Sequence, residues 1–411
     1  MNTLRARREA EIATLFRDEG VQRAMELHGT PLLLLEPGRV RAQYRRLRAA
    51  LPFAEVYYAV KALDHTAVID TLAQEGCGFD VASIEELDRV RARGVPVDRT
   101  LFTHPVKKPA EIAEAWDRGV QLFVADNPVE LDKLAASAPT AQVLLRLSYP
   151  NPEAKSDLSA KFGIEPSQTR ALIGHAMRRG LHVVGFSFHV GSQLDAPRRF
   201  ADAVGRTLEL MDELEATTDV RFEVLDVGGG FPVAYDAPVT SVEEIADAIR
   251  PLLAPRAGRL RILVEPGRLL AAEAMSLVTS VTGRAERGGR RWVYVDDGVY
   301  GAYSNVVAED VHPMILPAPG PLVARARLAP TTVAGPTCDS ADIVARDVPL
   351  PPLSVGDLLV SPAMGAYTIV TATTFNGRVA TPIAVVAEPA DVSPEARDDA
   401  APVRMLSTAA S

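Results

Sequence analysis

The sequence predicts an α/β protein, a (β/α)8 TIM barrel followed by a second, C-terminal β-rich domain that is a barrel or a sandwich. Between residues 38 and 272, short apolar runs alternate with longer segments of helical periodicity, which is typical of parallel strands joined by helices. Eight runs close a TIM barrel, and about 250 residues is the usual length of that fold. The runs are 55–60, 78–83, 99–105, 121–126, 142–148, 183–190, 224–230 and 261–268.

The intervening segments predict the barrel helices. Residues 109–118, 128–136 and 198–215 have apolar side chains at helical spacing. Ahead of the barrel, residues 5–28 predict a helix, and the apolar run 31–35 predicts a short buried strand. This strand is one too many for the barrel, so we expect it to join the second domain.

The composition of the chain changes after residue 272, where Pro, Gly, Val and Thr become frequent and helical periodicity is lost. Runs 291–295, 358–361 and 366–371 predict strands of the second domain. The expected domains are an N-terminal helix and strand that pack with the C-terminal domain (1–37), the barrel (38–272), the β domain (273–387) and a disordered tail rich in Ala, Asp, Pro and Ser (388–411).

Composition narrows the classes of protein. The net charge of −9 gives a nucleic-acid partner no electrostatic support, and no apolar run approaches the roughly 20 residues of a membrane span. The two cysteines, Cys77 and Cys338, do not make a disulfide scaffold, and no Cys/His cluster has metal-ligand spacing. We therefore expect a soluble cytoplasmic protein that holds no metal.

Lys61 is the most informative single residue. The chain has six lysines among its 44 basic residues, and this one ends the first apolar run with apolar neighbours on both sides. A lysine whose amine loses its proton readily can attack a carbonyl and form a Schiff base. The alternative is a strand-end lysine that reaches solvent.

Polar residues stand at the ends of seven runs, and three glycines at the end of the other, where TIM barrels place catalysis. Single residues have structural explanations: Asp126 as a helix N-cap before Asn127 and Pro128, and His104 as a loop histidine. The whole set instead predicts a site at one end of the barrel. Its members are Lys61, Asp80, Ser83, His104, Asp126, Arg146, His189, Gly228, Gly229, Gly230 and Glu265.

Two segments indicate the ligand. Gly228, Gly229 and Gly230 follow the seventh run, and Gly267 and Arg268 follow the eighth. Glycines let backbone N–H groups approach an anion, and barrels commonly bind phosphate with these two loops.

A phosphate site beside a Schiff-base lysine predicts pyridoxal 5'-phosphate (PLP) as cofactor. Glu265 can keep the pyridine nitrogen protonated, which increases the electron demand of the ring. His189 can stack on the ring face, and Ser192 can reach the phosphate.

At this point the chain resembles the fold-type III PLP-dependent decarboxylases, and is closest to the eukaryotic-type ornithine decarboxylase group. The resemblance covers about residues 30–380. The matching segments are Tyr58–Ala62, Gly78–Ser83, Lys161–Gly163, Ser187–Ser192, Leu225–Pro232, Glu265–Arg268, Asp297–Gly301, Gly335–Ser340, Met364–Thr368 and Thr374–Gly377.

The resemblance implies a role for each matched residue. Lys61 would bind PLP covalently, Asp80 and Glu86 would lie near it, and Arg146 would support the ring side. His189 would stack on the ring and Glu265 would pair with its nitrogen. The phosphate would be held by Ser192, Gly229, Gly230, Arg268 and Tyr367.

Cys338 is the proton donor that the resemblance implies for the step after CO2 leaves, a role within the ordinary titration range of a thiol. Cys338 and Asp339 would act on the active site of the other subunit. The expected assembly is therefore a homodimer with two sites shared at the interface.

The expected substrate is a basic L-amino acid, with ornithine ahead of lysine and arginine, in polyamine or specialised metabolism. Asp339 would meet the distal cation together with Glu309, which occupies the position of a family aspartate, or Asp310. Tyr303 and Phe375 would complete the substrate contacts.

Three other functions are alternatives to an ornithine-type decarboxylase. A diaminopimelate decarboxylase usually has glutamate after the cysteine, where this chain has Asp339. A racemase of this fold places arginine at the pyridine nitrogen, where this chain has Glu265. A non-catalytic regulator tends to lose the cofactor contacts, which are retained here.

Overall fold

The structure, a computed structural model, describes residues 3–151, 158–320 and 327–386. They form two compact units. The barrel unit consists of the described residues within Arg41–Val233 and Val239–Leu270, and the sheet unit of those within Met1–Val40, Ala234–Pro238 and Ala271–Ser411. The predicted tail, 388–411, lies outside the described residues.

The helices and strands are numbered along the chain. The α-helices are α1 Thr3–Leu15, α2 Glu19–His28, α3 Pro37–Ala50, α4 Thr66–Gln74, α5 Ile84–Arg91, α6 Pro109–Asp117, α7 Pro128–Ser137, α8 Thr169–Arg178, α9 Pro197–Thr217, α10 Val242–Leu253, α11 Arg268–Ala271 and α12 Asn305–Ala308. The strands are β1 Leu32–Leu35, β2 Ala54–Ala59, β3 Gly78–Val81, β4 Thr100–Phe102, β5 Leu122–Ala125, β6 Gln142–Leu147, β7 His182–Phe188, β8 Val224–Asp226, β9 Arg261–Val264, β10 Met275–Arg287, β11 Arg290–Val295, β12 Leu316–Pro317, β13 Ala329–Ala334, β14 Ile343–Leu350, β15 Leu358–Ser361 and β16 Ile383–Val385.

Strands β2 to β9 form a closed parallel barrel in chain order, which confirms the predicted fold class. The barrel closes where β2 pairs with β9, with Ala54 opposite Ile262. Apolar side chains from all eight strands would otherwise face water, and burying each contributes roughly 1.5–3 kcal/mol. One cluster of this core contains Tyr57, Leu101, Leu122, Val124, Leu144, Val184, Val224 and Leu263.

The predicted barrel helices are confirmed as α6, α7 and α9. Each begins with a proline, Pro109, Pro128 or Pro197. Proline suits the first position because its missing N–H would have no helical partner there, and its fixed φ is already helical. The proline therefore marks where each strand-end loop stops and the return helix starts.

The sheet unit contains a mixed sheet in the order β12-β15-β10-β11-β13-β14, and β1 pairs with β10 and β16. Residues 5–28, expected as one helix, form two, because Asp18 caps α2 by accepting a hydrogen bond from the backbone of Val21 at 3.0 Å. The strand expected at 366–371 is wrong: Tyr367 has φ 55°, which a strand does not allow, and Ile369–Thr371 is a 3-10 turn.

None of the helices among the described residues has the length and apolar character needed to cross a membrane.

Candidate active site

Lys61 lies in a 3-10 turn, Val60–Ala62, directly after β2. Its Nζ is 3.2 Å from Oδ2 of Asp80 on β3, and the Asp80 side chain is 1% exposed. The flanking residues Val60 and Ala62 are buried as expected, but the Lys61 side chain itself is 46% exposed. Because the turn follows the strand, the amine reaches the C-terminal face of the barrel and is open to a ligand.

Asp80 is held from two sides. Lys61 contacts one carboxylate oxygen, and the hydroxyl of Thr103, just after β4, donates to the other. Thr103 was not predicted, because nothing in its own segment shows that the neighbouring strand places an aspartate beside it.

Glu86, in the first turn of α5, is the second carboxyl near Lys61. Its Oε2 accepts a hydrogen bond from the backbone of Ala82 at 2.7 Å, and Ser83 caps the same helix. Burial raises the pKa of Glu86 to about 7. The charge of Asp80 contributes to this increase, and its effect is larger than the opposite effect of the Lys61 charge. Glu86 therefore changes its charge near neutral pH.

Glu86→Gln should stabilise the protein increasingly as the pH rises from 5 to 8. The folded-state pKa lies above the ordinary value of 4.5, so the stability contributed by the protonated group is complete below that value and is lost through pH 7. Gln stays neutral throughout and should gain roughly 1–2 kcal/mol at pH 8, after screening of this partly exposed site. Thermal unfolding at both pH values measures the gain. Glu85→Gln, on the exposed side of the same turn, is the control, and equal stability of Glu86→Gln and the wild type at pH 8 would contradict the prediction.

His189 follows β7 with its ring held in one orientation. The backbone N–H of Gly191 donates to Nδ1 at 3.0 Å, so the proton of the neutral ring is on Nε2. Burial, followed by the charges of Arg146 and Lys61, lowers the pKa of His189 to about 3. A neutral, flat imidazole is suited to stacking on an aromatic ligand rather than to pairing with an anion.

The glycine loop after β8 packs against the loops after β7 and β9, backbone to backbone. A Cβ on Gly229 would lie 2.7 Å from the carbonyl oxygen of Glu265, and one on Gly230 would lie 2.4 Å from that of Gly191. Gly230 also has φ +101°, which strains any other residue.

Arg268 and Ser192 lie at this same corner. The guanidinium of Arg268, a residue only 5% exposed, donates to Oγ of Ser192 at 3.0 Å. Gly267 is buried directly before it. A buried cation, a hydroxyl and a glycine loop together are the donor set that a phosphate requires.

Two carboxyl groups, Asp226 and Glu265, meet inside this face. Asp226 is fully buried and accepts from the backbone of Gly228 at 2.9 Å. Asp226 Oδ2 and Glu265 Oε1 are buried, and neither accepts a hydrogen bond from a donor among the described residues. The charge of Asp226 acts on Glu265, so simultaneous ionisation of the two carboxyl groups is unfavourable.

Burial raises the pKa of Asp226 to about 6, and burial together with the Asp226 charge raises that of Glu265 well above its usual range. A protonated ring nitrogen would supply the missing donor, so these residues fit the predicted cofactor. Asp226 was not predicted, although its place at the end of β8 was a usable signal.

Arg146, Phe162 and Asp126 organise the neighbouring loops. The Arg146 guanidinium lies 5.3 Å from the centre of the Phe162 ring, and burial lowers the pKa of Arg146. Asp126 is not the N-cap that was expected: Asn127 caps α7. Asp126 instead accepts a hydrogen bond from the backbone of Gly163 at 2.8 Å and so anchors the Lys161–Gly163 segment.

His104 lies on the loop after β4, as does Lys107, which forms a buried ion pair with Glu130 of α7. The His104 ring packs edge-on against Phe162, with 5.8 Å between centres. Lys107 is wholly buried and bonds to the carbonyl oxygens of His104 and Val124 and to Glu130, 3.0 Å away. Burial lowers the pKa of Lys107 to about 8. This pair was missed, because a lysine next to another lysine in a loop is usually solvated.

The sheet unit brings Cys338, Asp339 and Phe375 together. Cys338 is an exposed free thiol whose backbone N–H donates to the Asn376 side chain at 3.1 Å. The Tyr300 hydroxyl donates to Asp339, and the Tyr300 and Phe375 rings pack at a tilt with 4.6 Å between their centres. Tyr300 and Asn376 were not singled out by the sequence analysis, although both lie in matched segments.

Other predicted residues of the sheet unit are placed differently. Tyr303 is fully buried and its hydroxyl pairs with Ser361 at 2.7 Å, and its predicted substrate contact stays a prediction. Glu309 is partly exposed just after α12, Asp310 is exposed, and Tyr367 is partly exposed with φ 55°. Their predicted ligand contacts stay predictions.

Residues 37–272 match the family model described as the pyridoxal binding domain of pyridoxal-dependent decarboxylases. The chain belongs to this family. Its cofactor is PLP, and its residues place it in the fold-type III group of eukaryotic ornithine decarboxylase type.

Relatives of this decarboxylase include the lysine/ornithine decarboxylase of Selenomonas ruminantium, 35% identical over 351 residues that cover 85% of this chain and 87% of the relative. Antizyme inhibitor 2 of Xenopus laevis is also 35% identical, over 84% of this chain and 78% of its own length. Among solved structures, the lysine/ornithine decarboxylase of Vibrio vulnificus complexed with cadaverine matches with a TM-score of 0.84 and 37% identity, covering 90% of this chain and 98% of that chain.

Proposed function

We propose that this PLP-dependent decarboxylase converts a basic L-amino acid to its amine and CO2, with ornithine preferred and lysine or arginine as further substrates. The observation that carries the proposal is the arrangement at the C-terminal face of the barrel. An accessible amine on Lys61 lies on the same face as the buried carboxyl pair of Asp226 and Glu265 and a phosphate donor set.

Bound PLP supplies an electron sink for the pair released when the bond between Cα and the carboxylate breaks. The residues of the chain would hold the cofactor and set the electron demand of its ring. Lys61 is the residue that would bind its aldehyde, and the neutral His189 ring would pack on its face. Asp226 and Glu265 would accept a hydrogen bond from the ring nitrogen and keep the proton there, which strengthens the sink.

Cys338 would supply the proton that replaces the lost carboxylate. Its thiol is exposed, and its backbone is fixed by the bond to Asn376. Asp342, which is buried, accepts from the backbones of Val299 and Thr337 and so joins the two segments that contain Tyr300 and Cys338. The thiol and Asp339 are thereby presented on one rigid surface.

The preference for a cation comes from carboxylates of the sheet unit. Asp339 is oriented by Tyr300 and by the backbone of Ala341 at 3.0 Å, and its pKa is lowered by these hydrogen bonds, so it stays anionic. Each charge-assisted bond to a distal cation contributes roughly 1.5–3 kcal/mol, enough to reject neutral side chains about tenfold or more. Ornithine leads on the resemblance of the matched segments.

Asp339→Asn and Glu309→Gln should each lower kcat/KM for the cationic substrate by about tenfold or more, since each loses one charge-assisted bond. The measurement is steady-state kinetics with ornithine, lysine and arginine. Glu286→Gln, an exposed carboxylate elsewhere in the sheet unit, should leave kcat/KM unchanged. Unchanged kinetics in both test variants, or a preference for a neutral or acidic amino acid, would show that the pocket assignment is wrong.

A CO2-release screen over ornithine, lysine, arginine, 2,4-diaminobutyrate and diaminopimelate tests the proposed reaction directly. The similarity to antizyme inhibitor 2 favours one second candidate, a non-catalytic regulator. Absorbance at about 420 nm, typical of protein-bound PLP, distinguishes the decarboxylase from the regulator. A protein with neither this absorbance nor CO2 release from any of the five would be the regulator.

We further propose that the active assembly is a homodimer, in which Cys338 and Asp339 of each subunit complete the site of the other. The support is the resemblance of the Gly335–Ser340 segment to a motif that acts across subunits, together with the exposure of Cys338 in the single chain.

A further inference from the structure

The carboxylate of Asp80 divides its two oxygens between two donors. Oδ2 contacts the ammonium of Lys61 at 3.2 Å, and Oδ1 accepts the hydroxyl of Thr103. The Asp80 side chain is 1% exposed and Thr103 is 8% exposed, so water has little access to either oxygen.

We propose that Thr103 is a positioning residue for the reaction: its hydroxyl holds Asp80 Oδ1 away from Lys61, so that a single carboxylate oxygen faces the amine. The inference rests on the proposed function, in which Lys61 binds PLP. Thr103 itself touches neither Lys61 nor any of the predicted cofactor contacts other than Asp80 in the hydrogen bonds of this structure.

The contact is fixed by the sheet. Asp80 on β3 lies opposite Leu101 on β4, and the pairing continues past the end of β4, where the N–H of Thr103 donates to the carbonyl of Val81 at 3.3 Å. Thr is β-branched and stiff at χ1, so its hydroxyl loses little rotamer freedom in making the bond. Two neighbouring strands therefore set the orientation of Asp80.

Removing the hydroxyl would leave Oδ1 buried without a donor, which costs about 1–3 kcal/mol. Rotation of the carboxylate can relieve that cost by turning both oxygens toward the ammonium of Lys61. The amine would then be held by more negative charge and would release its proton only at higher pH. Thr103 thus keeps the ion pair weak enough for the lysine to act as a nucleophile.

Among the described residues, Glu86 on α5, Glu265 after β9 and His189 after β7 also interact electrostatically with Lys61. None of them bonds to Thr103 in this structure. A change at Thr103 therefore acts on Lys61 through Asp80.

The test is the pH dependence of Lys61 acetylation in full-length protein stripped of PLP, with acetic anhydride as probe and peptide mass spectrometry as readout. Thr103→Val should move the midpoint upward by about half to one pH unit, so that labelling below the midpoint is roughly three- to tenfold slower. Thr103→Ser keeps the hydroxyl and should match the wild type.

Thr100→Val is the matched control, because Thr100 is a buried threonine of the same strand whose hydroxyl has no partner among the described residues. Thr100→Val should leave the midpoint of Lys61 acetylation unchanged. The labelling of the exposed Lys108 should also be the same in every digest. If Thr103→Val fails to fold, by circular dichroism, Thr103→Ala carries the same prediction. A midpoint for the folded variant equal to or below that of the wild type would overturn the inference.

This result is separable from the proposed function. The acetylation assay contains no cofactor or substrate, so a shifted midpoint supports the Thr103 contact even if PLP proves to bind at another lysine. Conversely, covalent PLP on Lys61 with an unshifted midpoint in Thr103→Val removes only the inference.

Discussion

Lys61→Ala should abolish both decarboxylation and the covalent attachment of PLP. The amine of Lys61 is accessible on the C-terminal face of the barrel, beside the phosphate donor set and the buried carboxyl pair. Alanine removes the primary amine that a Schiff base with the PLP aldehyde requires. Borohydride trapping followed by peptide mapping measures the attachment, and CO2 release measures the activity.

Lys108→Ala is the control for this experiment. Lys108 is 80% exposed on the same barrel and pairs only with Glu111 in the interactions seen here. Its loss should change neither labelling nor activity. Borohydride-stable PLP on a different lysine of Lys61→Ala would rule out the assignment.

Mixing inactive Lys61→Ala with inactive Cys338→Ala should restore activity. If the subunits exchange freely, half of the dimers are hybrids, and each hybrid has one intact site of two. The mixture should therefore recover about one quarter of the wild-type activity. The measurement is CO2 release over time after mixing, with each variant alone as the baseline.

The design depends on proof of exchange, which differently tagged subunits provide by co-purification. Cys77→Ala mixed with Lys61→Ala is the matched control for a cysteine outside the proposed site, because Cys77 is buried and burial raises its pKa to about 12. Proven exchange without recovered activity would mean that each site is complete within one chain.

The barrel was predictable because its signal is local and repeated. Strands of a parallel barrel are buried on both faces, so each reads as a continuous apolar run, and each of the eight runs overlaps one of the strands β2 to β9. The sheet unit was less predictable. Residues 366–371 have a strand-like composition, yet Tyr367 adopts a left-handed backbone that composition does not reveal.

The residues at strand ends were also predictable, since the fold itself places them on one face. Hydrogen-bond partners that are brought together from distant segments by the fold were not predictable. Thr103 meets Asp80 across 23 positions of sequence, and Gly163 meets Asp126 across 37. The contact of the Tyr303 hydroxyl with Ser361 inside the sheet unit, across 58 positions, was likewise not evident from the sequence.

The backbone contacts among the loops after β7, β8 and β9 have a consequence for evolution and engineering. With Cβ positions on Gly228, Gly229 and Gly230 only 2.1–2.7 Å from carbonyl oxygens, no side chain can be introduced without moving another loop. Natural variants should therefore keep the length of this loop and its three glycines. Libraries randomised at these positions should consist mostly of clones that are unfolded or lack the cofactor. On the proposed function, a new substrate range is better sought by diversifying residues 304–310 and the neighbours of Asp339, with the glycine loop left unchanged.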